Sequence, residues 1–123
     1  MSVTSTTARG RQGEQAAASW LSSGGWTILE RNFRTRVGEI DIVAARGATL
    51  AFVEVKSWSA LPASALEHSI DRRKQARIAH AARVWLSRHP ALPGQSLRFD
   101  VLFLDGEARR VRHIEDAFNG GID

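Results

Sequence analysis

The sequence contains no cysteine, which excludes disulfide bonds and zinc sites built on thiolates. This absence fits an oxidising and a reducing compartment equally well. No apolar run approaches the roughly 20 residues that a helix needs to cross a bilayer. The N-terminus is polar and lacks the apolar core of a signal peptide. We therefore expect a cytoplasmic protein that has no membrane partner.

Lysine is also scarce, because Lys56 and Lys74 stand beside fifteen arginines. The 17 basic residues exceed the 13 acidic ones, giving a net charge of +4. This balance suits a polyanionic partner such as nucleic acid, although many small domains are basic without binding one. A lysine in an arginine-rich chain suggests that position 56 needs a compact ammonium rather than a planar guanidinium.

The length of 123 residues fits one domain, and 43% hydrophobic with 24% charged residues is typical of a folded chain. Residues 1–7 are rich in Ser and Thr and predict a disordered tail, which leaves residues 8–123 as the domain. Periodicity and turn signals predict an α/β fold with the element order αβββαβ, in which the first three strands form an antiparallel meander and the second helix covers the sheet. The predicted elements are a helix over 8–22, strands over 27–36, 38–45 and 49–56, a helix over 71–88, a strand over 97–104 and a short strand over 108–114.

The second and third strands bring two acidic residues together. A hairpin that turns about Gly47 with a two- or four-residue loop places Asp41 opposite Glu54 and Glu39 opposite Lys56. Directly opposed carboxylates are about 5 Å apart at Cβ and repel each other, and at the rim of a covered strand they are costly unless paired or bound to metal. A divalent cation would resolve the repulsion. The alternatives are a surface ladder of ion pairs, or a three-residue loop that shifts the register and separates the acids.

The residues that carry this pair resemble a known signature. Gly-Glu-Ile-Asp at 38–41, followed after twelve residues by Glu-Val-Lys at 54–56, is similar to the motif of the PD-(D/E)XK nuclease superfamily. The restriction endonuclease-like core of that superfamily has the same αβββαβ order, and the resemblance implies a mixed central sheet flanked by helices. Over residues 10–118 the chain resembles the YraN-like proteins, an uncharacterised family with that fold. The blocks that carry this second resemblance lie at 10–14, 28–34, 38–43, 52–56, 99–101 and 113–118.

The resemblance implies a role for each residue of the motif. Asp41 and Glu54 would bind Mg²⁺ or Mn²⁺ with the backbone carbonyl of Val55, while Lys56 would polarise the attacking water or stabilise the charge of the transition state. In the resolvase-like branch a glutamate of the first helix joins the metal ligands, and Glu14 matches that position. Glu14 also shares the helix face of residues 17 and 21, which predicts that it points towards the sheet. Its alternative is an edge glutamate paired with an arginine.

The second helix carries the candidate nucleic-acid contacts, which are Arg72, Arg73, Lys74, Gln75 and Arg77. A solvated charged face is the alternative interpretation of this run. Asp100 lies in an apolar strand, where we expect an arginine partner and no catalytic role. The resemblance implies a metal-dependent nuclease for structured DNA, and a symmetric homodimer would suit four-way junctions. The alternative is a non-catalytic nucleic-acid-binding or protein-interaction module that retains the fold.

Overall fold

The fold is that of a computed structural model, which describes residues 2–58, 70–105 and 110–121. Two helices and five strands are present in these ranges, and their order along the chain is the predicted one. They are α1 (Ser2–Ser23), β1 (Thr27–Arg34), β2 (Glu39–Arg46), β3 (Thr49–Trp58), α2 (Arg72–Arg88), β4 (Ser96–Asp105) and β5 (Val111–Phe118). The described chain contains no helix with the length and apolar character that a membrane span requires.

The strands form one mixed sheet in the order β1-β2-β3-β4-β5. The strands β3 and β4 pair in parallel, and the other neighbours pair antiparallel. This arrangement makes β3 the central strand, and its residues Leu50 to Val53 are buried on both faces. The predicted α/β class with a mixed sheet flanked by helices is therefore confirmed.

Each face of the sheet packs against one helix. On one face, Ala17 and Leu21 of α1 are fully buried against strand residues such as Ile42 and Val53. On the other face, Ile78 and Trp85 of α2 pack in one core with several strand side chains, among them Val43, Phe52 and Phe99. Both helices thus bury an apolar stripe and leave their polar sides to solvent.

Two predicted boundaries were wrong by more than two residues. The helix α1 begins at Ser2 rather than residue 8, because the Ser/Thr-rich segment holds no proline or glycine that would interrupt it. The strand β5 ends at Phe118 rather than residue 114. Its extension depends on a tertiary contact, since the Phe118 ring stacks on Phe99 with 4.9 Å between centroids. Residues 108 and 109, the predicted start of this strand, lie outside the described residues.

The turn between β1 and β2 lies directly against α2. The Thr35 hydroxyl accepts hydrogen bonds from the backbone N–H groups of Val37 and Gly38, and the Thr35 N–H donates to the Gly38 carbonyl. A Cβ atom at Gly38 would collide with the backbone carbonyl of Arg77. Only glycine allows this close approach, which fixes the turn beside the helix.

Candidate active site

The strands β2 and β3 pair in the predicted register, from Arg46↔Thr49 to Ile42↔Val53. Asp41 and Glu54 are the next residues beyond the last of these pairs. There the strands begin to separate, and Oδ2 of Asp41 accepts a hydrogen bond of 2.7 Å from the Val55 N–H. The two carboxylates therefore lie side by side where the ladder ends. Glu39, predicted opposite Lys56, instead pairs with Arg34 of β1.

The site holds one of its acids in the protonated form. Burial, followed by the negative charge of Glu54, raises the pKa of Asp41 to about 8. A side-chain hydrogen bond with Glu54 acts in the same direction, whereas the Val55 N–H lowers the pKa of Asp41. Glu54 is only 6% exposed. Two carboxylates in such a position cannot both ionise without a compensating positive charge.

Glu14 approaches this pair from α1. Its half-buried side chain is near enough for its charge to raise the pKa of Asp41 further. The cause is the packing of α1, because burial of Ala17 and Leu21 turns the same helix face towards the sheet. The prediction that Glu14 points towards the sheet is confirmed.

A lysine provides positive charge at the site, but it is Lys74 rather than Lys56. The Lys74 Nζ atom lies 2.7 Å from Oε2 of Glu54. Partial burial lowers the pKa of Lys74, yet the hydrogen bond and charge of Glu54 outweigh it, so that this pKa is raised. Asp71 caps α2 and accepts a 2.8 Å hydrogen bond from the Lys74 N–H, which fixes the turn that carries the lysine. Lys56 is half-buried on the same face of β3 as Glu54.

The donors present fit a hard divalent cation. Glu54 already binds one positive charge, the Lys74 ammonium, at the position where a metal ion would contact it. The described residues contain no ready group of three His, Asp or Glu side chains arranged around one point. Mg²⁺ needs fewer, because it is commonly held by one or two carboxylates together with water and phosphate oxygens. In a strand the N–H and C=O of one residue point to the same side, so the Val55 carbonyl is directed towards β2 beyond the last paired residues.

The candidate nucleic-acid contacts of α2 separate into two groups. Lys74 and Arg77 line a cleft of about 340 Å³ beside the turn between β1 and β2. Arg72 and Arg73 are exposed and do not line it, and the Gln75 amide donates to the Ile70 carbonyl at the start of the helix. The sequence interpretation missed the other basic residues of this cleft, which are Arg34 and Arg36. The sequence feature that could have indicated these two arginines is their position shortly before Gly38, the glycine of the turn.

Asp100 lies on the opposite face of the sheet, since its neighbour Val101 is the residue that pairs with Glu54. It is fully buried. The predicted arginine partner is confirmed, because Arg98 donates two hydrogen bonds of 3.0 and 2.8 Å to the Asp100 carboxylate. His113 Nε2 lies at 2.8 Å from Asp100 Oδ2, and the Asp116 N–H donates to Oδ1 at 2.9 Å. Burial raises the pKa of Asp100, but the bonds from His113 and Arg98 lower it further than burial raises it. The network ties β5 to β4.

Comparison with known proteins gives a consistent family match. The model of the uncharacterised protein family UPF0102 matches residues 13–104, which include the acid pair and Lys74. A UPF0102 protein of Methylorubrum extorquens (strain PA1) is 44% identical over 113 residues, covering 92% of this chain and 86% of the relative. For one of Desulfosudis oleivorans the identity is 43% over 113 residues, with coverages of 92% and 91%. For one of Frankia alni it is 40% over 121 residues, with coverages of 96% and 100%.

Proposed function

The chain belongs to the uncharacterised protein family UPF0102, and we propose that it is a divalent-metal-dependent nuclease that hydrolyses phosphodiesters of structured DNA. The observation that carries the proposal is the pair of Asp41 and Glu54, placed together at the rim of the core. Each carboxylate makes ionisation of the other more costly, and the Lys74 ammonium, 2.7 Å from Glu54, offsets only one of the two negative charges. Their shared need for positive charge is what a metal ion would satisfy.

The residues that would hold Mg²⁺ or Mn²⁺ are Asp41, Glu54 and the carbonyl of Val55, with Glu14 close enough to contribute through water. A divalent cation at this position would activate water and neutralise charge on the phosphate. The Val55 N–H orients the Asp41 carboxylate through its 2.7 Å hydrogen bond. Asp41 also makes a side-chain hydrogen bond with Glu54, which a metal ion shared by the two carboxylates would replace.

Lys56 is the candidate for the remaining catalytic group. It lies two residues beyond Glu54 on the same strand face, which would direct its ammonium to the same side of the sheet as the acids. From there Nζ would donate a hydrogen bond to the attacking water or to a phosphate oxygen, which stabilises the charge that develops during hydrolysis. The preference for branched or flapped DNA rests on the resemblance to resolvase-like nucleases alone.

Cleavage of labelled single-stranded, duplex, flap and four-way-junction DNA in Mg²⁺ or Mn²⁺ tests the proposal. We expect metal-dependent cleavage by the wild type and its loss in Asp41→Asn and Lys56→Ala. Glu115→Gln is the matched control for charge, because Glu115 is exposed and contacts only Arg98 among the described residues. This control should retain full activity. Retained turnover in Lys56→Ala would remove Lys56 from the mechanism.

A second candidate function is supported by the Lys74 contact. An ammonium at 2.7 Å already compensates the charge of Glu54, as expected for a non-catalytic nucleic-acid-binding or protein-interaction module that retains the nuclease fold. Calorimetry with Mn²⁺ separates the two functions when it is combined with the cleavage assay. DNA binding without cleavage on any substrate, at metal concentrations that saturate the site, would favour the module.

A further inference from the structure

A basic cleft runs along α2 on the side of the candidate active site. Its first part, of about 340 Å³, is lined by residues of α2 and of the turn between β1 and β2. A second hollow of about 840 Å³ adjoins it and shares the wall formed by Arg34, Thr35, Arg36 and Val37. The two hollows therefore form one continuous groove between the turn and the helix, which is called the basic cleft below.

One stripe of α2 forms the long wall of the basic cleft. Besides the buried Ile78, the residues of α2 that line it are Lys74, Arg77, His80, Val84 and Arg88. They recur every three or four positions and so lie above one another on a single face of the helix. At a rise of 1.5 Å per residue, the stripe is about 21 Å long.

The charge of the basic cleft is strongly positive. Arg34 and Arg36 of the turn face the stripe of α2 across the groove. Glu39 is the single acid among the residues that line the described cleft, and its carboxylate lies 3.3 Å from Arg34. Arg36, Arg77 and Arg88 are exposed. Exposed guanidinium groups along a groove are the usual contacts for phosphate oxygens.

Lys74 connects the basic cleft to the acid pair, although neither acid lines the cleft. Lys74 lines its first part and also contacts Glu54 at 2.7 Å. The far end, at Arg88, is the C-terminal end of the same helix. The width is fixed at the turn, because Gly38 touches the helix backbone at Arg77. A polyanion that follows the arginines is therefore brought to Lys74, which contacts Glu54 directly.

From this geometry we infer that the basic cleft binds the phosphodiester backbone of one nucleic-acid strand and guides it to the acid pair. The inference deepens the proposed function and rests on it for the role of the acid pair, but binding in the cleft can be measured without catalysis. About six nucleotides span the stripe, at 3.4 Å per step of a B-form strand. Arg36, Arg77 and Arg88 are the main contacts, and Lys74, which contacts Glu54 in the metal-free protein, would be free to bind a phosphate if a metal ion compensated Glu54 instead.

The test measures binding in EDTA, so that cleavage cannot interfere. Fluorescence anisotropy follows a labelled oligonucleotide between 50 and 200 mM salt, with all variants made in the Asp41→Asn background. The cleft variant carries Arg36→Ala, Arg77→Ala and Arg88→Ala. The matched control carries Arg72→Ala, Arg73→Ala and Arg83→Ala, which removes the same charge from exposed positions of α2 that do not line the cleft.

We expect the cleft variant to lose about tenfold or more in affinity, and its slope of log affinity against log salt to fall by about 2, since each single-strand phosphate contact contributes about 0.7. In the control variant the slope of log affinity against log salt should fall by less than half of the fall in the cleft variant. Equal losses in both variants, an unchanged cleft variant, or no binding by the parent protein would each overturn the inference. Thermal melting shows that both variants are folded, and an unfolded cleft variant is replaced by the single changes Arg36→Ala and Arg88→Ala.

The binding and cleavage results distinguish the two proposals. If the wild type binds DNA through the basic cleft but does not cleave it, the inference about the cleft is supported and the proposed nuclease activity is refuted. If the wild type cleaves DNA and the cleft variant binds DNA as well as its parent does, the nuclease activity is supported and the inference about the cleft is refuted. Oligonucleotides of increasing length give a further check, because affinity should rise steeply up to about six nucleotides and only weakly beyond.

Discussion

Replacement of Asp41 by Asn tests the charge balance of the candidate site without any assumption about substrate. In the folded protein Asp41 has a pKa of about 8, against the ordinary value of 3.8. Between these values the folded chain retains a proton that the unfolded chain releases. The free energy of unfolding of the metal-free protein therefore falls as pH rises from about 4 to 8.

The size of the effect follows from the pKa difference of about four units. At 1.36 kcal/mol per unit, the upper limit is about 5 kcal/mol. Asp41 is only partly buried and shares its proton with Glu54, so water and small shifts of the two side chains recover much of this energy. We expect about 2 kcal/mol between pH 5 and pH 9.

Asparagine reproduces the protonated state of Asp41 at every pH. Its oxygen can still accept the Val55 N–H, and its amide can donate to Glu54 in place of the carboxyl proton. The variant should therefore match the wild type at pH 5 and exceed its stability at pH 9. Saturating Mg²⁺ should stabilise the wild type at pH 9 and leave Asp41→Asn nearly unchanged.

The assay is urea unfolding in EDTA at pH 5, 7 and 9, with Glu115→Gln as the control that keeps the acid pair intact. Histidines and other groups titrate in all three proteins, so the difference between the curves is the quantity to compare. Parallel pH dependence in wild type and Asp41→Asn, or a variant less stable than the wild type at pH 9, would refute the reasoning.

Three further predictions concern other parts of the molecule. Lys74→Met should raise the affinity for Mn²⁺ about tenfold in calorimetry, because it removes an ammonium that competes for Glu54; weaker binding would make the lysine a support for the metal. Asp100→Asn should lower the free energy of unfolding by about 3 kcal/mol in urea, since it breaks a buried ion pair. The wild type should lose stability below about pH 4, because the pKa of Asp100 is lowered in the folded protein, and this acid-induced loss should be smaller in the variant. Gly38→Ala should cost about 1 to 3 kcal/mol through the collision with Arg77 and should weaken oligonucleotide binding; a neutral result in both assays would mean that the turn is free to move.

Local features of the sequence were sufficient to predict most of the helices and strands. The turn at Gly47 fixed the register of β2 and β3, so Asp41 and Glu54 were correctly predicted to lie together. The predicted start of the second helix at residue 71 agrees with the structure, where Asp71 caps α2 and its side chain accepts from the backbone three residues on. In both cases the signal and the structure it determines lie within a few residues of each other.

The contacts that could not be predicted join distant segments. Lys74 meets Glu54 only because α2 crosses the end of β3, and this crossing depends on the parallel pairing of β3 with β4. The basic cleft likewise needs the turn before Gly38 to pack on the helix backbone at Arg77. Periodicity shows which face of a helix is apolar, but it does not show which strand end that helix reaches.

The parallel pairing of β3 and β4 has a consequence for the order in which the chain assembles. The hairpin of β2 and β3 closes over a short turn at Gly47, whereas Thr49 finds Ser96 only after the whole segment containing α2 has been looped back. Closing the longer loop costs more entropy, and pairings of this kind are slow to form. Asp41 and Glu54 thus meet early in folding, and Lys74 and the rest of the helical wall of the cleft reach them last. A chain arrested before that step displays mutually repelling carboxylates with no groove beside them, so folding of α2 onto the sheet is also the step that brings Lys74 to the acid pair.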